Sequence, residues 1–117
     1  MKVYLQTFGC RANQYDSEVV RTLLEDGGAE IVADAAQADA AVFNSCAVTA
    51  AAEADLRRAV RRAARRSPAI ATVVMGCAAA RDPGGIAALP NVARVIPGAA
   101  AAEVATALGI SGTGARP

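Results

Sequence analysis

Residues 40–66 read AAVFNSCAVTAAAEADLRRAVRRAARR, and two different periodicities meet inside them. Ala40 to Ser45 is a short, largely apolar run of the kind that forms a buried strand. From about Ala50 to Arg66, Leu56, Ala59, Val60, Ala63 and Ala64 recur at helical spacing opposite a set of arginines. The helix ends before Pro68, as the restriction on residues preceding proline predicts. Cys46 stands where the strand stops and helix-forming sequence begins.

Outward from this stretch, the same unit recurs on both sides. Val3 to Phe8 reads as a strand, and Asn13 to Asp26 as a helix carrying Val19, Val20, Leu23 and Leu24, stopped by Gly27 and Gly28. Asn13 is the expected cap of that helix, with Asp16 in its first turn. Glu30 to Val32 is a short strand or edge piece. Downstream come a strand over Ile70 to Gly76, a short helix over Asp82 to Leu89 interrupted by Gly84 and Gly85, a strand over Val92 to Ile96, and a final helix over Ala99 to Leu108. Short strands alternating with helices predict a doubly wound α/β domain, with a mainly parallel sheet of four or five strands and helices on both faces. Residues 1–109 are expected to form the domain. Residues 110–117, with the Ser-Gly-Thr-Gly-Ala-Arg-Pro run from Ser111, read as a linker or tail.

Composition narrows the class of function. The 117 residues suffice for one domain that buries roughly two thirds of its unfolded surface. Only four aromatics are present, so the core rests on Ala, Val, Leu and Ile. A net charge of +1 gives no global attraction to nucleic acid or membrane, so any such preference must come from local clustering. No run approaches the roughly 20 apolar residues of a membrane span, and the sequence opens on Lys2 and a strand rather than a signal peptide. A cytoplasmic protein with no membrane partner is expected. Glycines follow neither a Gly-x-Gly-x-x-Gly nor a phosphate-loop pattern, which leaves nucleotide binding by this domain without support.

The chemistry lies in the three cysteines. Cys10, Cys46 and Cys77 each stand where an apolar run gives way to helix-forming sequence. In an open α/β sheet the ligand crevice lies at the carboxyl ends of the strands, so these distant residues are expected at one edge. An odd number of cysteines without short scaffold spacing points to ligands or reactive thiols rather than crosslinks. A thiol beside a helix N-terminus sits near unsatisfied N–H groups, which stabilise an anionic cluster. Structural zinc sites are usually closed by four ligands, often in Cys-x2-Cys pairs, and histidine is absent here, so zinc is the weaker reading. A [4Fe–4S] cluster held by three thiolates keeps one iron open. Set against this, a free cysteine commonly packs as a small hydrophobe, and three core thiols are the plain alternative.

The run Thr7-Phe8-Gly9-Cys10-Arg11-Ala12-Asn13-Gln14-Tyr15-Asp16-Ser17-Glu18, followed by Asn44-Ser45-Cys46-Ala47-Val48-Thr49 and Gly76-Cys77-Ala78, resembles the N-terminal domain of the radical-SAM methylthiotransferases over about residues 1–109. The Cys-Arg-Ala-Asn and Cys-Ala-Val-Thr runs, with the arginine-rich helix ending in Arg66-Ser67-Pro68, look most like the branch acting on threonylcarbamoyladenosine in tRNA. Ala79, Ala80 and the Pro97-Gly98 pair depart from the family's pattern. The resemblance implies a Rossmann- or flavodoxin-like fold and Cys10, Cys46 and Cys77 as ligands of one auxiliary [4Fe–4S] cluster whose open iron carries the sulfur destined for substrate. It also implies that Asn13 and Asn44 support the cluster loops. A second cluster in a following barrel, held by Cys-x3-Cys-x2-Cys, would cleave S-adenosylmethionine in the full-length enzyme. That motif, the barrel and an RNA-binding tail domain are not found in this sequence, so the chain by itself is not expected to catalyse methylthiolation. Two other readings stay open: a metal-free α/β module that binds a small ligand, and a separate cluster or sulfur carrier that docks onto a radical enzyme.

Arg57, Arg58, Arg61, Arg62, Arg65 and Arg66 are six of the chain's twelve basic residues, gathered on one half of a helix. A solvated amphipathic face accounts for them in the ordinary way. The alternative is contact with tRNA phosphates, marked by binding that falls steeply with salt.

Overall fold

The structure is a computed structural model that describes residues 2–8, 11–45, 50–97 and 101–108. Its elements run β1 (Lys2–Thr7), α1 (Arg11–Asp26), β2 (Glu30–Val32), a 3-10 turn (Ala35–Gln37), β3 (Ala40–Ser45), α2 (Ala50–Arg66), β4 (Ala71–Gly76), α3 (Cys77–Arg81), α4 (Pro83–Ala87), β5 (Val92–Pro97) and α5 (Ala101–Ala107). All four strand pairings are parallel, in the order β2-β1-β3-β4-β5. This is the flavodoxin-like order of a doubly wound sheet, and its direction of growth reverses between β1 and β3.

The reversal sorts the helices onto two faces, because crossovers that move in opposite directions along a sheet land on opposite sides of it. Val20 and Leu24 of α1 and Val104 of α5 bury against Val3, Val42, Val73, Met75 and Ile96. On the other face Leu56, Ala59, Val60 and Ala63 of α2, Ala78 and Ala79 of α3 and Ile86 of α4 cover Ala41, Phe43 and Val74. β3 is buried at every position, which explains its apolar run from Ala40 to Phe43. Tyr4 stacks edge-on against Phe43, with ring centroids 6.1 Å apart. Small side chains on both faces let the helices sit close to the sheet with few aromatics.

α1 stops where Gly27 and Gly28 are expected to stop it. Gly28 takes a φ of 95°, its N–H donates to Glu25 O at 3.0 Å, and Ala29 N–H donates to Leu24 O at 2.9 Å. Those two bonds form a Schellman cap, completed by the burial of Ala29 and Leu24 in one cluster.

At its other end, α1 departs from the sequence reading. The helix already contains Arg11 and Ala12, so Asn13 is its third residue and not its cap, and Asp16 falls beyond the first turn. A side-chain cap contributes only about 1 kcal/mol, less than the packing that seats the helix on the sheet. The side chain of Asn13 lies outside the described residues. Cys77–Arg81 forms a helical turn ahead of the helix expected over Asp82 to Leu89, and Asp82, the first residue of that expected helix, instead caps α4 by accepting from Gly85 N–H at 3.2 Å. Among the described residues no helix is long and apolar enough to cross a membrane.

Candidate metal centre

The carboxyl ends of β1, β3 and β4 form one continuous edge. Register pairs Thr7 with Asn44 and Ser45 with Gly76, and Phe8 N–H donates to Asn44 O at 2.8 Å just past β1. These are the residues after which the three cysteines follow in sequence. Cys10 and Cys46 lie outside the described residues, whereas Cys77 is the first residue of α3, directly after β4. Its thiol is free and exposed, unlike that of a cysteine serving as core filler. The two residues behind it, Ala78 and Ala79, are buried, so the helix anchors itself on alanines and leaves the sulfur outward.

Buried polar groups gather beneath this edge. Asn44 and Ser45 are fully buried and Ser17 is 4% exposed. Asn44 Nδ2 donates to Ser17 Oγ at 3.1 Å, and Ser17 Oγ lies 2.5 Å from Thr7 Oγ1. Ser45 Oγ donates to Met75 O at 2.5 Å and accepts from Ala79 N–H at 3.4 Å. Gly76 (φ 96°, ψ −161°) presses on both partners of β3: an added Cβ would lie 2.5 Å from Ser45 O and 2.9 Å from Asn44 Oδ1. Apart from Asn44, these groups escape the sequence reading. Ser17 stands three and seven residues before the buried Val20 and Leu24, so it occupies the inward stripe of α1, and a polar residue on such a stripe is the available signal.

The residues that are described fit a thiolate-bound cluster in donor chemistry. An outward thiol stands on an edge whose buried polar groups are paired, next to the ends of two further strands that lead into cysteines. No group of three or more His, Cys, Asp or Glu side chains placed to hold a metal ion is found among the described residues.

The arginine helix resolves into two sets. Arg57 pairs with Asp82 at 3.1 Å, Arg66 with Asp34 at 3.5 Å, and Arg58 with Asp55 on its own helix. Arg81 of α3 also reaches back to Glu53 at 3.2 Å. Arg61, Arg62 and Arg65 are exposed and have no ion pair among the described residues. Arg65 does lie in the last turn of α2, where a cation complements the helix dipole. Arg62 also lines a groove of about 340 Å³ with Tyr4, Gln6, Asp34 and Arg66. The expected amphipathic split therefore holds, and half of its arginines are engaged in binding the domain to itself.

A doubly wound parallel sheet in this strand order defines an α/β domain of the flavodoxin-like class. The pattern of the uncharacterized protein family UPF0004 matches residues 2–98, and the chain belongs to that family. It is 40% identical over 90 residues to the threonylcarbamoyladenosine tRNA methylthiotransferase MtaB of Rickettsia prowazekii (strain Madrid E), covering 77% of this chain and 20% of that protein. The corresponding Aquifex aeolicus (strain VF5) protein is 36% identical over 96 residues, covering 82% and 23%. A tRNA-2-methylthio-N(6)-dimethylallyladenosine synthase of Fervidobacterium nodosum is 35% identical over 82 residues, covering 70% and 19%. The chain thus spans about a fifth of the length of these curated relatives.

Proposed function

We propose that residues 1–109 are the auxiliary cluster domain of a tRNA methylthiotransferase, with Cys10, Cys46 and Cys77 holding one [4Fe–4S] cluster. The observation that carries this reading is the register at the sheet edge: Ser45 and Gly76 are ladder partners, and Phe8 is hydrogen-bonded to Asn44. Neighbouring strands lie about 4.8 Å apart, and consecutive Cα atoms about 3.8 Å apart. Cys46 and Cys77 each follow a paired residue by one peptide link, and Cys10 follows Phe8 by two. Covalent geometry therefore allows the three thiols to reach a shared inorganic core.

When bound, such a cluster supplies the sulfur that the substrate carbon receives. The protein's part is to offer three thiolates from three separate strand ends and to leave the fourth coordination position free. The apolar wall beneath, Phe43, Val74 and Met75, limits water and oxidant access from the sheet side. In this reading the radical step belongs to a barrel domain that binds S-adenosylmethionine, and the tRNA is shared with that barrel and an RNA-binding tail. The substrate is N6-threonylcarbamoyladenosine beside the anticodon, methylthiolated at position 2, and the setting is the cytoplasm. Support for that branch comes from two relatives named for this modification.

Anaerobic reconstitution of the chain with iron and sulfide tests the cofactor directly. One [4Fe–4S] cluster per chain is expected, read by metal and sulfide counting and by the visible absorption of the cluster. A chain that takes up neither iron nor sulfide is the metal-free module instead.

For the arginine helix, the free set Arg61, Arg62 and Arg65 is the expected tRNA contact, Arg57, Arg58 and Arg66 being held in ion pairs. Replacing those three by glutamine in the full-length enzyme is expected to weaken tRNA binding and to flatten the slope of log K against log salt by about 2–3, one lost phosphate contact for each residue. An unchanged slope would assign the face to solvent.

A further inference from the structure

Three buried polar residues under the sheet edge, Ser17, Asn44 and Ser45, together with the half-buried Thr7, have a geometry that the fold alone does not require. Elsewhere in the core the buried positions are apolar, except Thr72, whose Oγ1 has no partner among the described residues. A buried hydroxyl or amide left unpaired costs roughly 1–3 kcal/mol, and apolar groups of the same shape could fill the space without that risk. Thr7, Ser17, Asn44 and Ser45 are instead joined in two arms. In the first, Ser17 on α1 accepts from Asn44 on β3 and contacts Thr7 at the end of β1. In the second, Ser45 on β3 donates to Met75 on β4 and accepts from the backbone of α3.

Each arm spans two of the strand ends that lead into cysteines. The Ser17 arm ties the end of β1, before Cys10, to the end of β3, before Cys46. The Ser45 arm ties the end of β3 to β4 and to the helix that begins with Cys77. Gly76 closes the contact, since its missing Cβ lets β4 approach Asn44 and Ser45. A buried polar network with its partners in place fixes one arrangement where apolar packing would tolerate several.

We propose that Thr7, Ser17, Asn44 and Ser45 are positioning residues that set the separation of the three thiol-bearing strand ends, and through it the hold on the cluster and its reduction potential. This rests on the cysteines being cluster ligands. The residues act through the backbone on either side of the thiols and touch no reacting atom.

The test uses the reconstituted 117-residue chain and four variants: Ser17→Ala, Ser17→Thr, Ser45→Ala, and Thr72→Val as a control at the amino end of β4. Three quantities are read: the rate of iron loss to a chelator, the midpoint potential, and the EPR spectrum of the reduced cluster. Losing an outer partner of a metal site typically costs 10–100-fold, so Ser17→Ala and Ser45→Ala are expected to lose iron about 10–100-fold faster and to shift potential and spectrum. Ser17→Thr restores the hydroxyl and is expected to return all three toward wild type. Thr72→Val changes a buried hydroxyl far from the edge and is expected to leave them unchanged, whatever it does to the melting temperature.

If wild type holds its cluster and Ser17→Ala and Ser45→Ala match it in rate, potential and spectrum, the positioning role is overturned while the ligand reading stands. The positioning role falls equally if Thr72→Val alters the three readouts as much as those two variants do. A wild-type chain that takes up no cluster overturns the ligand reading, and the positioning role with it.

Discussion

Gly76→Ala is expected to destabilise the chain by about 2–6 kcal/mol, the sum of two costs that each run roughly 1–3 kcal/mol. The first is conformational. A φ of 96° with ψ of −161° lies in the region that is essentially closed to residues with a Cβ. The second is steric, because the new methyl would meet Ser45 O at 2.5 Å and Ser45 N and Asn44 Oδ1 at 2.9 Å, two of them backbone atoms of the neighbouring strand. Neither strand can yield alone, since β3 and β4 are paired along their whole length. A domain of this size has about 5–15 kcal/mol in total, so the variant is expected to sit near the edge of folding. Urea denaturation of the metal-free chain measures it. Gly84→Ala is the matched control: an added Cβ there meets nothing within 4 Å, in a helix where alanine is favoured. A loss below 1 kcal/mol at Gly76 would mean that β4 need not approach β3 as closely as the structure has it.

Most of the architecture is legible because this sequence keeps its rhythms separate. Ala40–Ser45 and Ala50–Arg66 fall where their apolar spacings end, and the three-residue β2 agrees with the short apolar piece at Glu30 to Val32. What the sequence hides is local. Asn13 has the residue type of a helix cap, yet the start of α1 is set by how its inward stripe, Ser17, Val20 and Leu24, meets the sheet. The bounds of the turn Cys77–Arg81 are hidden because five residues of mostly alanine favour a helix but carry no period, and Gly76 offers no side-chain cap; burial of Ala78 and Ala79 holds it. Long-range pairs are also invisible. Nothing within α2 marks Arg57 as the partner of Asp82, 25 residues away, or Arg66 as the partner of Asp34. The edge is readable from where the strand runs before the cysteines end, but the polar residues beneath it are not, apart from Asn44. Counting apolar residues registers Ser17 and Ser45 as gaps, when they are the inward-facing positions of their elements.

Cys77→Ser is expected to produce the opposite pattern from its neighbour Gly76→Ala: full folding with no cluster. The Cys77 side chain is exposed, so exchanging sulfur for oxygen disturbs no core contact. Substitutions of that kind usually stay within about 0.5 kcal/mol, and urea denaturation of the metal-free variant is expected to overlay that of wild type. The donor, however, changes in kind. Soft thiolates are what iron–sulfur clusters select, and a serine hydroxyl keeps its proton at neutral pH and is a hard oxygen donor. With only three cysteines in the chain, two remain, and no histidine is present to substitute. Iron and sulfide content after anaerobic reconstitution is therefore expected to drop to the background of the unreconstituted chain. The pairing of the two measurements gives the result its force, since iron lost without any loss of stability can be assigned to the missing sulfur and not to a damaged fold. Wild-type iron content in Cys77→Ser would leave the exposed thiol with no part in cofactor binding, and a metal-free ligand module would then be the better account of this edge.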